Sequence, residues 1–307
     1  MSEATAAGTR TIAVTGATGL VGEELVKSLS RDDVAVKSIV RRTPDRYESQ
    51  IQWDTKNGFV NPERLEGLDA VVHLAGEPIA EGRWNDKKKA RIRNSRVDGT
   101  ATLARALAGT THKPKVLVSA SATGFYGDRG DEVLTEASEP GSGFLPDVCK
   151  AWEEVTKPAE DAGIRVVHIR TGIVLTKSGG ALGAMLMPFR LGVGGVMGSG
   201  KQYWSWVSVE DLVSIIEFAI SNESLGGPVN AVSPHPSTNR EFTKAMGRTL
   251  SRPTIFPMPG FVARMVIGEM ADALLLASTR AMPQRLLDAG FEFEHSDLDA
   301  TLTHALR

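Results

Sequence analysis

Residues 11–15 form a short run of β-branched and small apolar side chains that leads directly into Gly16-Ala-Thr-Gly19-Leu-Val-Gly22. In this spacing the first glycine allows a tight turn, the second lets backbone N–H groups approach a pyrophosphate, and the third lets a helix pack closely on the strand. The pattern predicts a strand, a phosphate-binding loop and a helix, although glycines in plain surface turns would give the same letters. The residues expected to contact a dinucleotide here are Gly16, Thr18, Gly19, Leu20, Val21 and Gly22.

Strand and helix patterns alternate through the first two-thirds of the chain. Near-continuous apolar runs, without the alternation of a half-exposed strand, are typical of parallel strands buried on both faces. Such runs lie at 11–15, 34–40, 70–74, 116–119 and 165–169. Helical patterns lie at 20–30, 86–108, 147–162 and 209–220. Because parallel strands need long crossovers, this order predicts an α/β fold with a Rossmann-type doubly wound parallel sheet.

The composition changes after residue 175. Residues 176–206 contain eight glycines, with Tyr203, Trp204 and Trp206 near the end. A segment this long and glycine-rich inside a compact protein is more often a binding loop or lid than a linker. The last third is predicted to be mostly helical, at 238–250, 261–277, 283–287 and 297–306. We therefore expect a Rossmann domain at 10–235, with a substrate loop at 176–206, and a smaller, mostly helical C-terminal substrate region at 250–303.

Charge and composition argue against several classes of function. The 307 residues carry 35 Lys and Arg against 37 Asp and Glu, a net charge of −2, so nucleic acid is not an expected partner. One cysteine excludes an internal disulfide, and with six scattered histidines it gives no zinc-ligand spacing, so no metal is expected. The N-terminal residues lack the apolar stretch of a secretory signal, and no apolar run approaches the ~20 residues that span a bilayer. We expect a cytoplasmic protein that binds no membrane.

Arg41 and Arg42 follow the strand at 34–40, where the type of dinucleotide is recognised. Enzymes that use NAD place Asp or Glu about 20 residues after the glycines, to bond the ribose 2′-hydroxyl. Here no acid follows until Asp45. Two guanidinium groups suit a 2′-phosphate, which they can bind through bidentate charged hydrogen bonds. NADP(H) is therefore the expected cofactor, and a solvated basic turn is the alternative.

The strand at 70–74 is followed by a further expected part of the cofactor site. Its end reads His73-Leu-Ala-Gly76, where the chain must pass under the adenosine half of a dinucleotide, and His73 itself is expected to be a core residue. In the next helix two arginines are close enough in sequence to reach the phosphates, although most of the charges there form a solvated face. The contacts expected from these and later strand ends are Leu74, Ala75, Gly76, Arg91, Arg96, Ser119 and Gly172.

Together these motifs resemble the extended short-chain dehydrogenase/reductase superfamily, in its epimerase/dehydratase branch. The similarity extends from residue 10 to about 235, and it includes Ser119-Ala-Ser121 followed by Tyr126-Gly-Asp128, and Trp206-Val-Ser-Val-Glu-Asp211. Gly82-Arg-Trp-Asn85, Trp152-Glu153 and Pro188-Phe-Arg-x-Gly192 are similar to a subgroup named epimerase family proteins. The tail around Pro283-Gln-Arg-Leu and Ala289-Gly-Phe291 resembles that subgroup's C-terminal domain of unknown function.

The resemblance implies a catalytic tyrosine whose pKa is lowered by a lysine four residues later, and a serine or threonine that binds the reacting oxygen. The sequence has three tyrosines, Tyr47, Tyr126 and Tyr203, and none is followed by lysine at this spacing. The serine is matched by Ser121. Tyr126 is the substitute acid or base that we expect, with a packing role in the turn as the alternative. Cys149, early in a helix, is either a reactive thiolate or a small buried apolar residue.

The expected substrate contacts depart from the branch in one respect. In its nucleotide-sugar enzymes an arginine before the Val-x-Asp-Asp segment binds the diphosphate, and the matching position here is Trp204. Arg190 or Lys201 can compensate for the missing guanidinium, whereas an indole suits an apolar ligand. The tentative substrate contacts are Glu77, Cys149, Arg190 and Trp204, while Glu77 and Lys150 are weaker candidates for the acid or base.

These residues predict an NADP(H)-binding oxidoreductase or epimerase that acts on a small molecule, either sugar-like or an apolar carbonyl or hydroxyl compound. The alternative is a catalytically degenerate NADPH-binding sensor or scaffold, which the missing tyrosine–lysine pair favours. The expected oligomeric state is a monomer or a homodimer.

Overall fold

The apolar runs of the sequence form the centre of the molecule. The computed structural model describes residues 9–31, 33–46, 48–55 and 57–306, and these residues form one eight-stranded sheet. Its strands are β1 (Arg10–Thr15), β2 (Val34–Val40), β3 (Gln50–Asp54), β4 (Phe59–Val60), β5 (Ala70–His73), β6 (Val116–Ala122), β8 (Arg165–Thr171) and β12 (Gly227–Ala231). Short strands outside it are β7 (Val133–Leu134), β9 (Ile173–Leu175), β10 (Tyr203–Trp204), β11 (Trp206–Ser208), β13 (Ser237–Thr238) and β14 (Arg280–Ala281).

The strand order shows that the sheet is doubly wound. Across the sheet the order is β4-β3-β2-β1-β5-β6-β8-β12, and every neighbouring pair is parallel except β3 with β4. The chain moves outwards from β1 in one direction through β2 and then in the other through β5, so a crevice opens at the carboxyl ends of the strands beside β1. The predicted Rossmann-type α/β fold is confirmed.

Helices cover both faces of the sheet. They are α1 (Leu20–Leu29), α2 (Asp86–Ala108), α3 (Phe144–Glu154), α4 (Lys157–Asp161), α5 (Gly180–Arg190), α6 (Val209–Ser221), α7 (Asn239–Leu250), α8 (Gly260–Ile267), α9 (Gln284–Asp288) and α10 (Leu298–Leu306). One apolar cluster joins the sheet to α1 and α6 through residues such as Leu25 and Ile216, and another joins its opposite face to α2 through Leu103 and Leu107. Each such fully buried leucine or isoleucine contributes about 2 kcal/mol to folding, which explains why the strand sequences are apolar on both faces.

The segment at 147–162, predicted as one helix, is two. Helix α3 ends at Glu154, and α4 begins at Lys157 with Pro158 in its first turn. Proline has no N–H to donate and clashes with the preceding turn, so it is tolerated at a helix start and not in the interior. The side chain of Thr156 donates a 2.7 Å hydrogen bond to the carbonyl of Glu153 at this break.

The C-terminal region is helical, as predicted, but it shares cores with the rest of the chain. The segment at 261–277 is interrupted because Gly268, with φ of +66°, ends α8, and a short π-helical turn follows at 272–276. Leu286 and Phe291 pack in the cluster that contains α6, while Leu302 of α10 packs with α5 and α7. The glycine-rich segment 176–206 also contains α5, so it is not a loop throughout.

Candidate active site

The glycine loop between β1 and α1 has the backbone needed to approach a phosphate. Gly16 has φ of +69°, and a Cβ there would lie 3.1 Å from backbone atoms of Leu74 and Ala75. A Cβ on Gly22 would overlap the carbonyl of Gly16, while Gly19 is extended, with φ of −83° and ψ of 171°. Gly19 is the N-cap of α1, and no side chain caps this helix. The first N–H groups of α1 therefore remain available to an anion, so the residues present fit the pyrophosphate of a dinucleotide.

A cleft of about 240 Å³ lies beside this loop, at the carboxyl edge of the sheet. Its lining joins residues predicted from the first βα unit with residues of β6, β8 and α6. The lining residues are Gly16, Gly19, Leu20, Val21, Gly22, Leu74, Ala120, Ile169, Thr171, Leu212 and Ile216. We call this space the glycine-loop cleft. Its position is the switch point of a doubly wound sheet, where ligands of such folds bind.

A buried chain of hydrogen bonds holds the ends of β1 and β5 together. The Thr15 hydroxyl accepts from the backbone N–H groups of Leu74 and Ala75, at 3.0 and 3.1 Å, and lies 2.7 Å from Nδ1 of His73. With both lone pairs used, the Thr15 hydroxyl donates to Nδ1, so the histidine proton is on Nε2. That nitrogen lies 2.8 Å from the Thr100 hydroxyl. Burial lowers the pKa of His73 to about 4, so the ring is a neutral structural group.

Arg41 and Arg42 lie where the sequence indicates, directly after β2 and exposed to solvent. Arg42 forms an ion pair with Asp45, the first acid after the strand. Because that pair is exposed on both sides, an incoming phosphate can replace the Asp45 carboxylate at little cost. Both guanidinium groups are thus compatible with a 2′-phosphate.

Glu77 and the arginines of α2 are already engaged with one another. Oε1 of Glu77 lies 2.8 Å from Nζ of Lys88 and 3.2 Å from Nε of Arg91, and the hydrogen bond from Lys88 lowers the pKa of the Glu77 carboxyl. Arg96 is half-buried, and it donates to the carbonyls of Glu77 and Ile92 at 3.0 and 3.2 Å. In these positions Arg91 remains exposed, whereas Arg96 is partly covered and tied to backbone carbonyls.

Arg96 lies between the predicted cofactor turn and α3. A Cβ on Gly76 would lie 3.3 Å from Cζ of Arg96, and the guanidinium stacks on the indole of Trp152, 5.0 Å from the ring centroid. Burial lowers the pKa of the Arg96 guanidinium, though a group of this kind stays charged. The structure thus places Arg96 under the turn at 74–76, where it supports the chain that borders the glycine-loop cleft.

Two of the predicted cofactor contacts are closely packed by protein atoms. Ser119 is fully buried in β6, and its hydroxyl has no hydrogen-bond partner among the described residues. A Cβ on Gly172 would lie 2.5 Å from the carbonyl oxygen of Ser205, so close packing of two backbone segments explains this glycine. Their contact with a cofactor stays a prediction.

Three polar side chains lie side by side near the carboxyl ends of adjacent strands. In the strand register Ser121 of β6 is paired with Arg170 of β8, which is paired in turn with Asn230 of β12. We call these three residues the polar row. Each is at most 4% exposed, so each must find partners inside the protein.

Glu153 of α3 supplies the charge that the polar row requires. Arg170 binds its carboxylate in a bidentate pair, with Nε 2.9 Å from Oε1 and Nη2 2.8 Å from Oε2. The Ser121 hydroxyl donates to the same Oε1 at 2.6 Å. The side chain of Glu153 is 12% exposed and that of Arg170 is 4% exposed. A hydroxyl joined to a carboxylate that is fixed by a buried guanidinium can pass a proton between a ligand and the carboxylate.

Tyr126, the expected substitute acid, is fully buried. Its hydroxyl lies 2.7 Å from Oδ1 of Asn230 and 3.0 Å from the carbonyl of Thr135, and it accepts from Nη1 of Arg170 at 3.0 Å. Burial raises the pKa of the phenol above its ordinary value. In this position the Tyr126 hydroxyl holds Arg170, and its role as the acid or base stays a prediction. Tyr47 lies outside the described residues.

Cys149 is a small buried residue and not an exposed thiolate. It is 4% exposed and packs with Phe125 and Tyr126. Burial raises the pKa of its thiol to about 12, so almost no thiolate forms at neutral pH. Lys150, the next residue along α3, is exposed.

Of the two tentative substrate residues beyond residue 175, Trp204 is buried and Arg190 is exposed. Trp204 is 3% exposed, its Nε1 donates to the carbonyl of Leu275 at 3.2 Å, and its ring packs edge-to-face on Phe242. The sequence suggested an apolar ligand face, and the structure instead uses the indole to join β10 to α7. Arg190, at the end of α5, is exposed.

Sequence reasoning did not identify Glu153, Arg170 or Asn230 as functional candidates. The sequence did contain an indication of these residues. In each of three largely apolar strands the second-to-last residue is polar, namely Ser121, Arg170 and Asn230. Such a residue in an otherwise apolar strand needs a buried partner. The identity of that partner could not be read, since Glu153 lies on a helix distant in sequence from Arg170.

Two family models match the chain. The NAD dependent epimerase/dehydratase family matches residues 12–232, and a domain of unknown function, DUF1731, matches residues 258–305. The protein belongs to the NAD dependent epimerase/dehydratase family. The predicted resemblance, including the C-terminal domain, is confirmed.

Relatives within the family cover nearly the whole chain. The epimerase family protein Mb2239 of Mycobacterium bovis is 42% identical over 294 residues, covering 96% of this chain and 97% of its own. The crystal structure of human epimerase family protein SDR39U1 (isoform 2) with NADPH is 31% identical, with a TM-score of 0.88, and covers 97% of this chain and 99% of its own.

A further similar protein of known structure has a longer chain than this one. The nucleoside-diphosphate sugar epimerase of Corynebacterium glutamicum is 38% identical, with a TM-score of 0.81, over 98% of this chain and 59% of its own. This chain thus has the NAD(P)-binding fold of its family. No helix among the described residues combines the length and the apolar character needed to cross a membrane.

Proposed function

We propose that this family member is an NADP(H)-binding oxidoreductase or epimerase of the extended short-chain dehydrogenase/reductase class, acting on a hydroxyl- or carbonyl-bearing small molecule. The observation that carries the proposal is that the glycine loop and the group formed by Ser121, Glu153 and Arg170 lie at the same edge of the sheet. The first fits a dinucleotide, and the second has the parts needed to move a proton.

The choice of NADP(H) over NAD(H) is supported by charge. Arg41 and Arg42 follow β2, where a family member that prefers NAD needs an acid, and the nearest acid, Asp45, forms a displaceable surface ion pair. The NADPH in the crystal structure of the human relative agrees with this assignment. Gly16, Gly19 and Gly22 would hold the pyrophosphate, and Leu74 and Ala75 would border the cofactor.

Transfer of the substrate's hydroxyl proton is assigned to Ser121 and Glu153. NADP(H), when bound, supplies or accepts the hydride. In the oxidative direction the substrate hydroxyl gives its proton to the Ser121 oxygen while Ser121 gives its own proton to Oε1 of Glu153, and the reverse transfer accompanies reduction. Arg170 holds the carboxylate in place, and Tyr126 positions Arg170 through their 3.0 Å hydrogen bond. This route needs no tyrosine–lysine pair.

The nature of the substrate is less constrained by charge than in nucleotide-sugar enzymes. Trp204 is buried where the branch places an arginine, so a diphosphate would have to bind Arg190 or Lys201, which are exposed. A nucleotide sugar and a smaller apolar carbonyl compound are both included in the proposal for this reason. The expectations of no nucleic-acid partner and of a monomer or homodimer stay predictions.

The second candidate function is an NADPH-binding sensor or scaffold without turnover. The observation that favours it is the burial of Tyr126, which removes the expected phenol from any ligand. The two candidates share the cofactor site and differ in whether Ser121 and Glu153 handle a proton.

The test separates cofactor binding from chemistry. Calorimetric titration with NADPH should give one site per chain, and Gly19→Val should abolish it because the side chain enters the phosphate space. Gly226→Val, at a glycine whose Cβ would have no neighbour closer than 4.0 Å, is the control and should bind normally.

A spectroscopic assay of NADPH oxidation should then use a panel of aldehydes, ketones and nucleotide sugars. Ser121→Ala and Glu153→Gln should lower turnover at least 100-fold while NADPH affinity changes less than twofold, because neither side chain is assigned to the cofactor. Normal turnover in both variants would refute the proton assignment. Tight NADPH binding with no turnover on the whole panel would favour the sensor.

A further inference from the structure

Three potential metal ligands meet on the surface formed by α6 and the C-terminal segment. Glu210 is in the first turn of α6, His295 lies in the segment before α10, and His304 is in the last turn of α10. One donor atom from each lies within 4.8 Å of the other two. Nε2 of His304 is 3.4 Å from Oε1 of Glu210, and the two imidazoles stack with centroids 4.6 Å apart and planes at 27°.

Backbone contacts fix the position of each member of this Glu210–His295–His304 cluster. The Asp211 carboxylate accepts hydrogen bonds from the N–H groups of Glu294 and His295, at 2.9 and 3.0 Å, so the segment that carries His295 is tied to the start of α6. Asp297 accepts from the N–H of Ala300 at 2.8 Å and thereby orients the first turn of α10. The approach of the two histidines to Glu210 is therefore part of the fold.

Glu210 has an unexplained oxygen. Its side chain is 41% exposed as a whole, yet Oε2 is buried and has no hydrogen-bond partner among the described residues. A buried carboxylate oxygen without a donor or a cation is unfavourable, because water no longer solvates its charge. A cation bound by the Glu210 carboxylate through Oε1, the oxygen beside His304, would balance the charge that Oε2 shares. This observation is independent of the histidine geometry.

We propose that Glu210, His295 and His304 form a binding site for a divalent transition-metal ion, of which Zn²⁺ is the best match. Imidazole nitrogen and carboxylate oxygen are ligands that Zn²⁺ accepts at bond lengths near 2.0–2.2 Å. Such bonds place tetrahedral donors about 3.3 Å apart, close to the separation of His304 Nε2 and Glu210 Oε1. The three donor atoms all lie within 4.8 Å of one another, and the half-exposed site leaves a fourth position for water.

The ion would act as a clamp between the end of α10 and the start of α6. Helix α6 also contributes Leu212 and Ile216 to the glycine-loop cleft, so the clamp would secure the C-terminal segment to an element of the cofactor site. Neither the hydride nor the proton of the proposed reaction involves it. The site departs from the sequence-based expectation of no metal because its ligands come from segments that only the fold brings together.

The test uses untagged full-length protein freed of metal with a chelator. Calorimetric titration with ZnCl₂ should show one site per chain, and His304→Ala should weaken the affinity at least tenfold. His112→Ala is the matched control, because His112 is also an exposed histidine beside a carboxylate, 3.5 Å from Glu66, but belongs to no such cluster within the part of the chain that the structure describes. It should leave the affinity within twofold of the unmodified protein.

A second measurement identifies the ligands directly. Co²⁺ substituted for Zn²⁺ should give visible absorption bands of a four- or five-coordinate site, and these bands should be lost in His295→Ala and in Glu210→Gln. Absence of Zn²⁺ binding, or binding that His304→Ala leaves unchanged, would overturn the proposal. His304 is more than half exposed, so His304→Ala is expected to fold. Its folding is established if its thermal unfolding midpoint, measured with chelator present, equals that of the unmodified protein.

Discussion

The hydroxyl of Ser121 donates a 2.6 Å hydrogen bond to Oε1 of Glu153, and the same oxygen accepts a hydrogen bond from Nε of Arg170. A short hydrogen bond to a carboxylate is stronger than one between neutral groups, and here it joins strand β6 to helix α3. Arg170, on strand β8, neutralises the charge of the Glu153 carboxylate. The serine, the carboxylate and the guanidinium can therefore remain together in a nearly dry interior. The same three groups therefore serve both stability and the proposed chemistry.

Removal of Glu153 should destabilise the protein severely. Glu153→Ala leaves Arg170, 4% exposed, as a buried charge without its partner, and the expected loss in free energy of unfolding is about 3 kcal/mol or more. Urea unfolding measures this loss. The adjacent Glu154→Ala is the control, because Glu154 is exposed, and it should change the free energy by less than about 0.5 kcal/mol. A loss for Glu153→Ala as small as that of the control would mean that the pair contributes nothing.

Cofactor preference should depend on the arginines after β2. The unmodified protein should bind NADPH at least tenfold more tightly than NADH, a difference of about 1.4 kcal/mol, and the double variant Arg41→Ala/Arg42→Ala should lose that preference. Calorimetry with both dinucleotides measures it. Arg64→Ala, at another exposed arginine, should keep the preference. Equal affinities for the two dinucleotides in the unmodified protein would show that these arginines form only a solvated turn.

The single cysteine should be unreactive in the folded protein. Burial raises the pKa of the Cys149 thiol to about 12, so its thiolate fraction is orders of magnitude below that of the unfolded chain. Labelling with a thiol reagent at pH 8 should be at least a hundredfold slower in buffer than in concentrated urea. Each chain has one cysteine, so the label count reports this site alone. Fast labelling without urea would place the thiol in an open site.

Stability should fall as the pH drops below the ordinary pKa of histidine. Burial lowers the pKa of His73 to about 4 from 6.5, so between these values the unfolded chain binds a proton at this residue that the folded chain does not. The contribution of the neutral His73 ring to the free energy of unfolding is therefore complete above pH 6.5. It is lost progressively as the pH falls towards 4, at up to about 1.4 kcal/mol per pH unit. Burial lowers the pKa of His168 too, which acts in the same direction.

Urea unfolding at pH 7 and pH 5 measures this dependence. His73→Gln should reduce the difference in free energy between the two pH values, whereas His112→Gln should not, because His112 is 80% exposed. An unchanged pH dependence in His73→Gln would show that His73 is not the responsible group.

The strands and the glycine loop could be predicted from sequence because their causes are local. Strand β2 runs from Val34 to Val40 and helix α2 from Asp86 to Ala108, as predicted, since the apolar run and the helical pattern are visible in the letters alone. The glycine loop is likewise a property of seven consecutive residues. The edge strands β3 and β4 were not predicted, because short half-exposed strands depend on a neighbour for their hydrogen bonds.

The proposed proton-transfer group and the proposed metal site are decided only by the tertiary structure. Ser121, Glu153, Arg170 and Asn230 belong to three strands and a helix; the strand register places the three strand residues side by side, and the packing of α3 brings Glu153 to Ser121 and Arg170. Sequence named Tyr126 from its place just after Ser121, and Cys149 from its place early in a helix, but no local pattern reveals that both side chains are buried. Local backbone chemistry therefore determines the glycine loop, and long-range packing determines which side chains surround it.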